Sequence, residues 1–229
     1  MDHITGATKM TPKLVIFDCD GVLVDSEPAT NRVIASDLVK RGLSLSATFI
    51  AENFVGGTMK DVERKAKKMG AALPDDWLDV IYDKMFDALR LGVKLFPDVE
   101  LFLDALAEQR IAIAIASNGP MEKMVITLTP TGLNDRFNGR IYSGHDHPAK
   151  PAPDMINHAM QVAGVTAKET IFIDDSANGS MAGIAAGVRT FGFDPSKKYT
   201  HLGDLAVEKV SSMRQIAGII GVGMPELTD

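Results

Sequence analysis

The chain has 229 residues, 30 acidic and 24 basic, for a net charge of −6, which gives no sequence-wide reason to expect nucleic-acid binding. Its 45% hydrophobic and 24% charged composition argues against disorder. One cysteine, Cys19, excludes an intramolecular disulfide and suits a reducing, cytoplasmic setting.

No apolar run nears the roughly 20 residues of a membrane helix, and Met1-Asp2-His3-Ile4-Thr5 lacks a signal peptide's apolar region. Residues 1 to about 11 read as a loose lead-in. Leu14 to Phe17 is apolar at every position, as a strand covered on both faces should be, and gives out into Asp18-Cys19-Asp20-Gly21. The interval 26–92 carries apolar residues at helical spacing (Val33, Ile34, Leu38; Val62, Ala66, Met69; Trp77, Ile81, Met85, Ala88) and no convincing strand. Val99, Phe102, Leu103 and Leu106 predict another helix. Ile111 to Ala116 predicts a second buried strand, leading into Ser117-Asn118-Gly119. Lys150-Pro151-Ala152-Pro153 reads as a loop. Ile171 to Ile173 predicts a third strand, leading into Asp174-Asp175-Ser176 and a small-residue helix punctuated by Gly183 and Gly187. From about Lys209 the chain reads as a last amphipathic helix carrying Met213, Ile216, Ile219 and Ile220.

Strands alternating with helices predict an α/β fold: a doubly wound parallel sheet in a Rossmann-like, three-layer core. A helical cap is expected as an insertion, dividing the chain into 12–25 (core), 26–92 (cap) and 93–229 (core). Placed directly after Asp20, such an insertion would sit over the carboxyl end of the sheet, where open α/β folds bind ligands.

Acids at a strand end are often turn caps, Ser-Asn-Gly is an ordinary turn, and Asp174-Asp175 could simply cap the next helix. These three, with the Lys150-Pro151-Ala152-Pro153 loop before the last, make four segments in this order, each at its proper place, and together they are a different matter. They resemble the haloacid dehalogenase-like phosphohydrolases, specifically members with a helical cap after the first strand, such as 6-phosphogluconate phosphatase and β-phosphoglucomutase. Phe17-Asp18-Cys19-Asp20-Gly21-Val22 with Val24-Asp25-Ser26-Glu27, Ser117-Asn118-Gly119-Pro120 with Lys123-Met124, and Asp174-Asp175-Ser176 carry the likeness.

The resemblance implies that Asp18 attacks phosphorus to form an aspartyl phosphate, with Asp20 as acid and base. A turn at Cys19-Asp20-Gly21 would let both reach one phosphoryl group. A carboxylate about 4 Å from a phosphate dianion is repelled by roughly 8 kcal/mol at an effective dielectric of about 20, so a cation is needed. Mg²⁺ suits the oxygen ligands implied here: Asp18, the Asp20 carbonyl and Asp175, with Asp174 contacting it directly or through water. Ser117, Asn118 and Lys150 are the implied phosphate binders. The implied function is a Mg²⁺-dependent phosphatase of a small phosphorylated metabolite, a sugar or sugar-acid phosphate, with neither nucleic acid nor membrane as partner. Monomer and weak homodimer fit equally.

The nearest rival is a β-phosphoglucomutase-like phosphomutase, although Thr30 and Met59 stand where that enzyme carries a cap histidine and arginine. A phosphoacceptor signalling domain is the rival of another class, yet its acidic pair precedes the acceptor aspartate, whereas Asp174-Asp175 comes last. Cys19 is read as a small buried side chain. His145 and His147 are read as a solvated loop rather than a metal site, and Lys60, Arg64, Lys65, Lys67 and Lys68 as a solvated helix face. Gly56-Gly57 is expected to shape a cap loop over the site.

Overall fold

The computed structural model describes residues 11–226 apart from 44, 55–57 and 201, and without the side chains of 47, 51, 52 and 54. In chain order the elements are β1 (Leu14–Phe17), β2 (Val24–Asp25), α1 (Glu27–Lys40), α2 (Ala47–Phe54), α3 (Met59–Lys68), α4 (Trp77–Arg90) and β3 (Lys94–Leu95). They continue with α5 (Val99–Glu108), β4 (Ala112–Ser117), α6 (Met121–Leu128), α7 (Leu133–Phe137), β5 (Ile141–Ser143) and α8 (Asp154–Ala163). The last are β6 (Thr170–Asp174), α9 (Ala177–Ala185), β7 (Arg189–Phe193), β8 (Glu208–Val210) and α10 (Met213–Ile220).

Six strands form one parallel sheet in the order β5-β4-β1-β6-β7-β8. Alternation along each strand divides two apolar layers. Val15, Phe17, Ile113, Ile115, Ile171 and Ile173 pack on one face with residues of α5, α6, α7 and α10; Leu14, Ile16, Ala114, Ala116 and Phe172 pack on the other with α8 and α9. Phe17 meets Phe102 and Phe137 edge-on at 6.0 and 6.1 Å between ring centroids, an orientation that the ring quadrupoles favour. The expected three-layer core is present.

The strand order reverses about β1, and its register is what assembles the site. Phe17 lies opposite both Ile115 and Ile173. Asp18 therefore emerges level with Ala116 and Asp174, and Ser117 ends the neighbouring strand. Beyond Asp18 the chain turns: Gly21 N donates to the Val24 carbonyl at 3.0 Å, and Leu23 and Val24 N donate to that of Cys19. β2 then pairs with β3 in a two-stranded ribbon, through which the chain leaves for α1–α4 and returns.

Helices α1–α4 bury their own apolar cluster of Ile34, Leu38, Ile50, Val62, Ala66, Trp77, Ile81 and Met85. Met69, expected on the apolar stripe, is 39% exposed because it ends α3 as its C-cap rather than facing inward. The tail begins with the edge strand β8 before its amphipathic helix α10, a three-residue element too short for periodicity to show. Gly56-Gly57 lies outside the described residues.

The buried Asp37 of α1 ties the helices together. Its carboxylate accepts from Trp77 Nε1 at 2.8 Å and pairs with Lys84 Nζ at 2.6 Å, both from α4. Burial alone would raise its pKa; the hydrogen bonds from Lys84 and Trp77, with the charges of Lys84 and Arg41, lower it overall. Asp37→Asn is expected to lower stability by about 1–3 kcal/mol in urea denaturation, less than a fully buried pair would cost because Lys84 is half exposed. A depressed carboxylate pKa means that this stability is present above the ordinary aspartate value of about 3.9 and lost as pH falls through the folded value. The gap between wild type and variant should hold near neutrality and close only in strong acid.

Candidate active site

Asp18, 8% exposed at the end of β1, receives the backbone N-H of Cys19 on its own Oδ1 at 2.7 Å. Lys150, from the loop before α8, bridges two acids: its Nζ lies 3.1 Å from Asp18 Oδ1 and 2.6 Å from Asp174 Oδ2. Asn118 fixes that loop, accepting from Lys150 N at 2.7 Å and donating to the Lys150 carbonyl at 3.1 Å. Ser176 occupies the other Asp174 oxygen through its N-H at 2.8 Å and its hydroxyl at 2.7 Å. Asp174 is thus fully engaged within the protein, while Asp175 faces a cavity of about 140 Å³ that Asp18, Asp20, Ser117, Asn118 and Lys150 also line. Ser117 Oγ accepts from Gly119 N at 3.2 Å, leaving its own proton free to be donated into that space.

Charge is in excess here. Burial, then the charges of Asp174 and Asp20 against that of Lys150, pushes Asp18 up to about 7. Burial and the charges of Asp174, Asp18 and Glu27 raise Asp175 well above the usual carboxylate range. Lys150 loses basicity to burial but regains more from Asp174 and Asp18, so it stays charged. Single oxygens of Asp18, Asp174 and Asp175 lie within 4.8 Å of one another, the only such group of three among the described residues. Asp18 and Asp175 offer hard carboxylate oxygens to the cavity with Asp174 behind them, and Lys150 pairs with Asp18 and Asp174 but not with Asp175, a donor set that fits Mg²⁺.

Gly21 makes the approach possible. Its φ of +80° disfavours other residues, and a Cβ there would lie 2.2 Å from Asp175 Oδ2.

A family model for haloacid dehalogenase-like hydrolases matches residues 12–187. The chain belongs to that family. It is 28% identical to the 6-phosphogluconate phosphatase of Escherichia coli K12 over 83% of this chain and 91% of that one. It is 31% identical to the phosphoglycolate phosphatase of Rhodobacter capsulatus over 73% and 77% of the two chains. A haloacid dehalogenase-like protein from Agrobacterium tumefaciens superposes with a TM-score of 0.79 at 30% identity, covering 91% of this chain and 97% of that one. A putative β-phosphoglucomutase of Thermotoga maritima shares the fold, with a TM-score of 0.73 at 19% identity over 91% and 98% of the chains. With phosphatases among its relatives and this site, the hydrolase is a phosphatase.

Every residue expected at the hydrolase's site comes to it, although Asp174 reaches it as the partner of Lys150 and Ser176 rather than as a cavity wall. Cys19 is fully buried, and burial with the neighbouring charges of Asp20 and Asp18 raises its thiol pKa, so it is an inert filler. His147 packs on Tyr142 and His158, and His145 on Tyr82 of α4. Arg64 and Lys67 pair with Asp61 and Glu63 on the face of α3.

Sequence reasoning gave no role to Lys123 or Glu27, both of which line the cavity. Glu27's pKa is raised by burial, then by Asp20 and Asp25 against the charge of Lys123. Lys123 lies in the first turn of α6, where the helix dipole disfavours a cation; that misfit, and the place of both Lys123 and Glu27 in segments that carry the family likeness, were the available signals. From α1, α3 and α4 the cavity also receives Asn31, Met59, Tyr82 and Met85. No helix among the described residues is long and apolar enough to cross a membrane.

Proposed function

We propose that the enzyme is a Mg²⁺-dependent phosphatase of a small phosphorylated metabolite, a sugar or sugar-acid phosphate, working through an aspartyl phosphate on Asp18. The observation that carries this reading is the convergence of Asp18, Asp175 and Lys150, far apart in sequence, on one cavity beside Asp20. The relative named for 6-phosphogluconate supports a sugar-acid phosphate, and the one named for phosphoglycolate supports a small phosphorylated metabolite more broadly.

Asp18 attacks phosphorus as the bond to the leaving oxygen breaks, and Asp20 gives that oxygen a proton. Asp20 then takes a proton from water, whose oxygen bonds to phosphorus as the Asp18–phosphorus bond breaks. Lys150 holds Asp18 in place and, with the Ser117 hydroxyl, meets charge on the phosphoryl oxygens. Asn118 fixes the Lys150 loop. Asp18, the Asp20 carbonyl and Asp175 would hold Mg²⁺, with Asp174 behind them. When bound, the ion screens Asp18 from the phosphate and polarises a phosphoryl oxygen. Helices α1–α4 act as a cap over the site, covering residues 26–92, and their Asn31, Tyr82 and Met85 read the leaving group.

Thr30 and Met59 weigh against a mutase. Both line the cavity, but the Thr30 hydroxyl is spent on the carbonyls of Ser26 and Glu27, and Met59 brings no cation for a second phosphate. The test is phosphate release from a panel of sugar, sugar-acid and short-chain acid phosphates with and without Mg²⁺, ranked by kcat/KM. Mg²⁺-dependent release is expected. Conversion of β-glucose 1-phosphate to glucose 6-phosphate without release, or no release from any member of the panel, would overturn the proposal.

A further inference from the structure

The Asp20 carboxylate is gripped at both oxygens. Oδ1 accepts from the hydroxyl of the fully buried Ser26, and Oδ2 pairs with Lys123 Nζ at 2.8 Å. Neither partner touches Asp18, which Lys150 serves. The site thus carries two separate lysine–aspartate pairs, one from the loop before α8 and one from α6.

Lys123 is expensive to place. Its side chain is only 12% exposed and sits in the first turn of a helix, against the dipole. No role in packing explains an ammonium group there, since an apolar side chain would fill the space at no electrostatic cost. What the ammonium does is fix the rotation of a carboxylate that Ser26 alone would leave free to swing about one hydrogen bond.

We infer that Lys123 is a positioning residue which, together with Ser26, aims Asp20 at the oxygen of the departing group. The inference rests on Asp20 being the proton donor. It predicts a dependence on the leaving group: a sugar or alkyl alkoxide departs slowly without a proton, whereas 4-nitrophenolate departs readily without one. Because kcat/KM reports the steps up to leaving-group departure, it isolates this effect from the later attack of water.

The experiment compares kcat/KM for a sugar phosphate and for 4-nitrophenyl phosphate, with Mg²⁺ present, in wild type, Asp20→Asn, Lys123→Met and Lys123→Arg. General acid catalysis is worth about 10²–10⁴-fold. Lys123→Met should lose on the order of 10²-fold on the sugar phosphate and only a few fold on the aryl ester, matching Asp20→Asn in kind. Lys123→Arg keeps a cation and should recover part of the loss, and it serves as the working variant should Lys123→Met fold poorly. If Asp20→Asn discriminates between the substrates while both Lys123 variants lose equally on each, or lose nothing, the positioning role is wrong and the reading of Asp20 stands. If Asp20→Asn itself does not discriminate, the assignment of Asp20 fails and takes this inference with it.

Discussion

Asp18→Asn should reduce phosphate release by at least about 10⁴-fold while leaving the fold and its stability intact. The activity should fall because an amide cannot form the bond to phosphorus that the proposed mechanism asks of the carboxylate. The fold survives because Asn is nearly isosteric, and the backbone N-H of residue 18 still reaches the Ile173 carbonyl, at 2.8 Å in the wild type. Burial and the neighbouring Asp174 and Asp20 already disfavour the Asp18 charge, so its removal releases repulsion as it forfeits the Lys150 contact. Lys150 keeps Asp174 at 2.6 Å. Steady-state kinetics with circular dichroism as the folding control gives the answer, and a well-folded variant with appreciable turnover would remove Asp18 from the chemistry.

Asp175→Asn should raise the melting temperature of the metal-free protein and abolish its stabilisation by Mg²⁺. A carboxyl pKa raised in the folded state stabilises the fold fully only at low pH, and that contribution is lost as pH rises. Towards neutrality the ionisation of Asp175 therefore works against folding, and an amide, which has no charged form, lifts the penalty. If the wild type binds Mg²⁺ as proposed, the ion at about a hundred times its Kd should stabilise it by roughly 2.7 kcal/mol. For a chain of this length that is a shift of about 5–10 °C. Scanning calorimetry of both proteins, with and without the ion, separates the two effects. A variant that Mg²⁺ still stabilises by the wild-type amount would place the ion elsewhere.

Much of this was legible in the sequence because parallel strands covered on both faces are written as uninterrupted apolar runs, and the residues just past such a run stand at the carboxyl edge of the sheet. Leu14 to Phe17, Ile111 to Ala116 and Ile171 to Ile173 announced three central strands to within a residue or so of their ends. β2, β3 and β8 were not legible: two or three residues carry no period, and what makes them strands is a partner found only in three dimensions. The same holds for polar side chains. Nothing in the order of residues pairs Asp37 with Trp77 and Lys84, which arrive from α4. Lys123 belongs to a segment that carries the family likeness, but its partner is not written there: the turn after β1 brings Asp20 to it. Spacing identifies residues at the ends of strands; it is blind to partners delivered by separate helices.

The most direct measurement is acid-quenched peptide mapping of the enzyme during turnover with Mg²⁺ and a substrate found in the panel. Mass spectrometry should find one phosphoryl group on the peptide spanning Leu14 to Asp25, fragmenting to Asp18, and none in Asp18→Asn. Rapid phosphate release with a phosphoryl group on another residue, or with none at any quench time, would contradict covalent catalysis by Asp18.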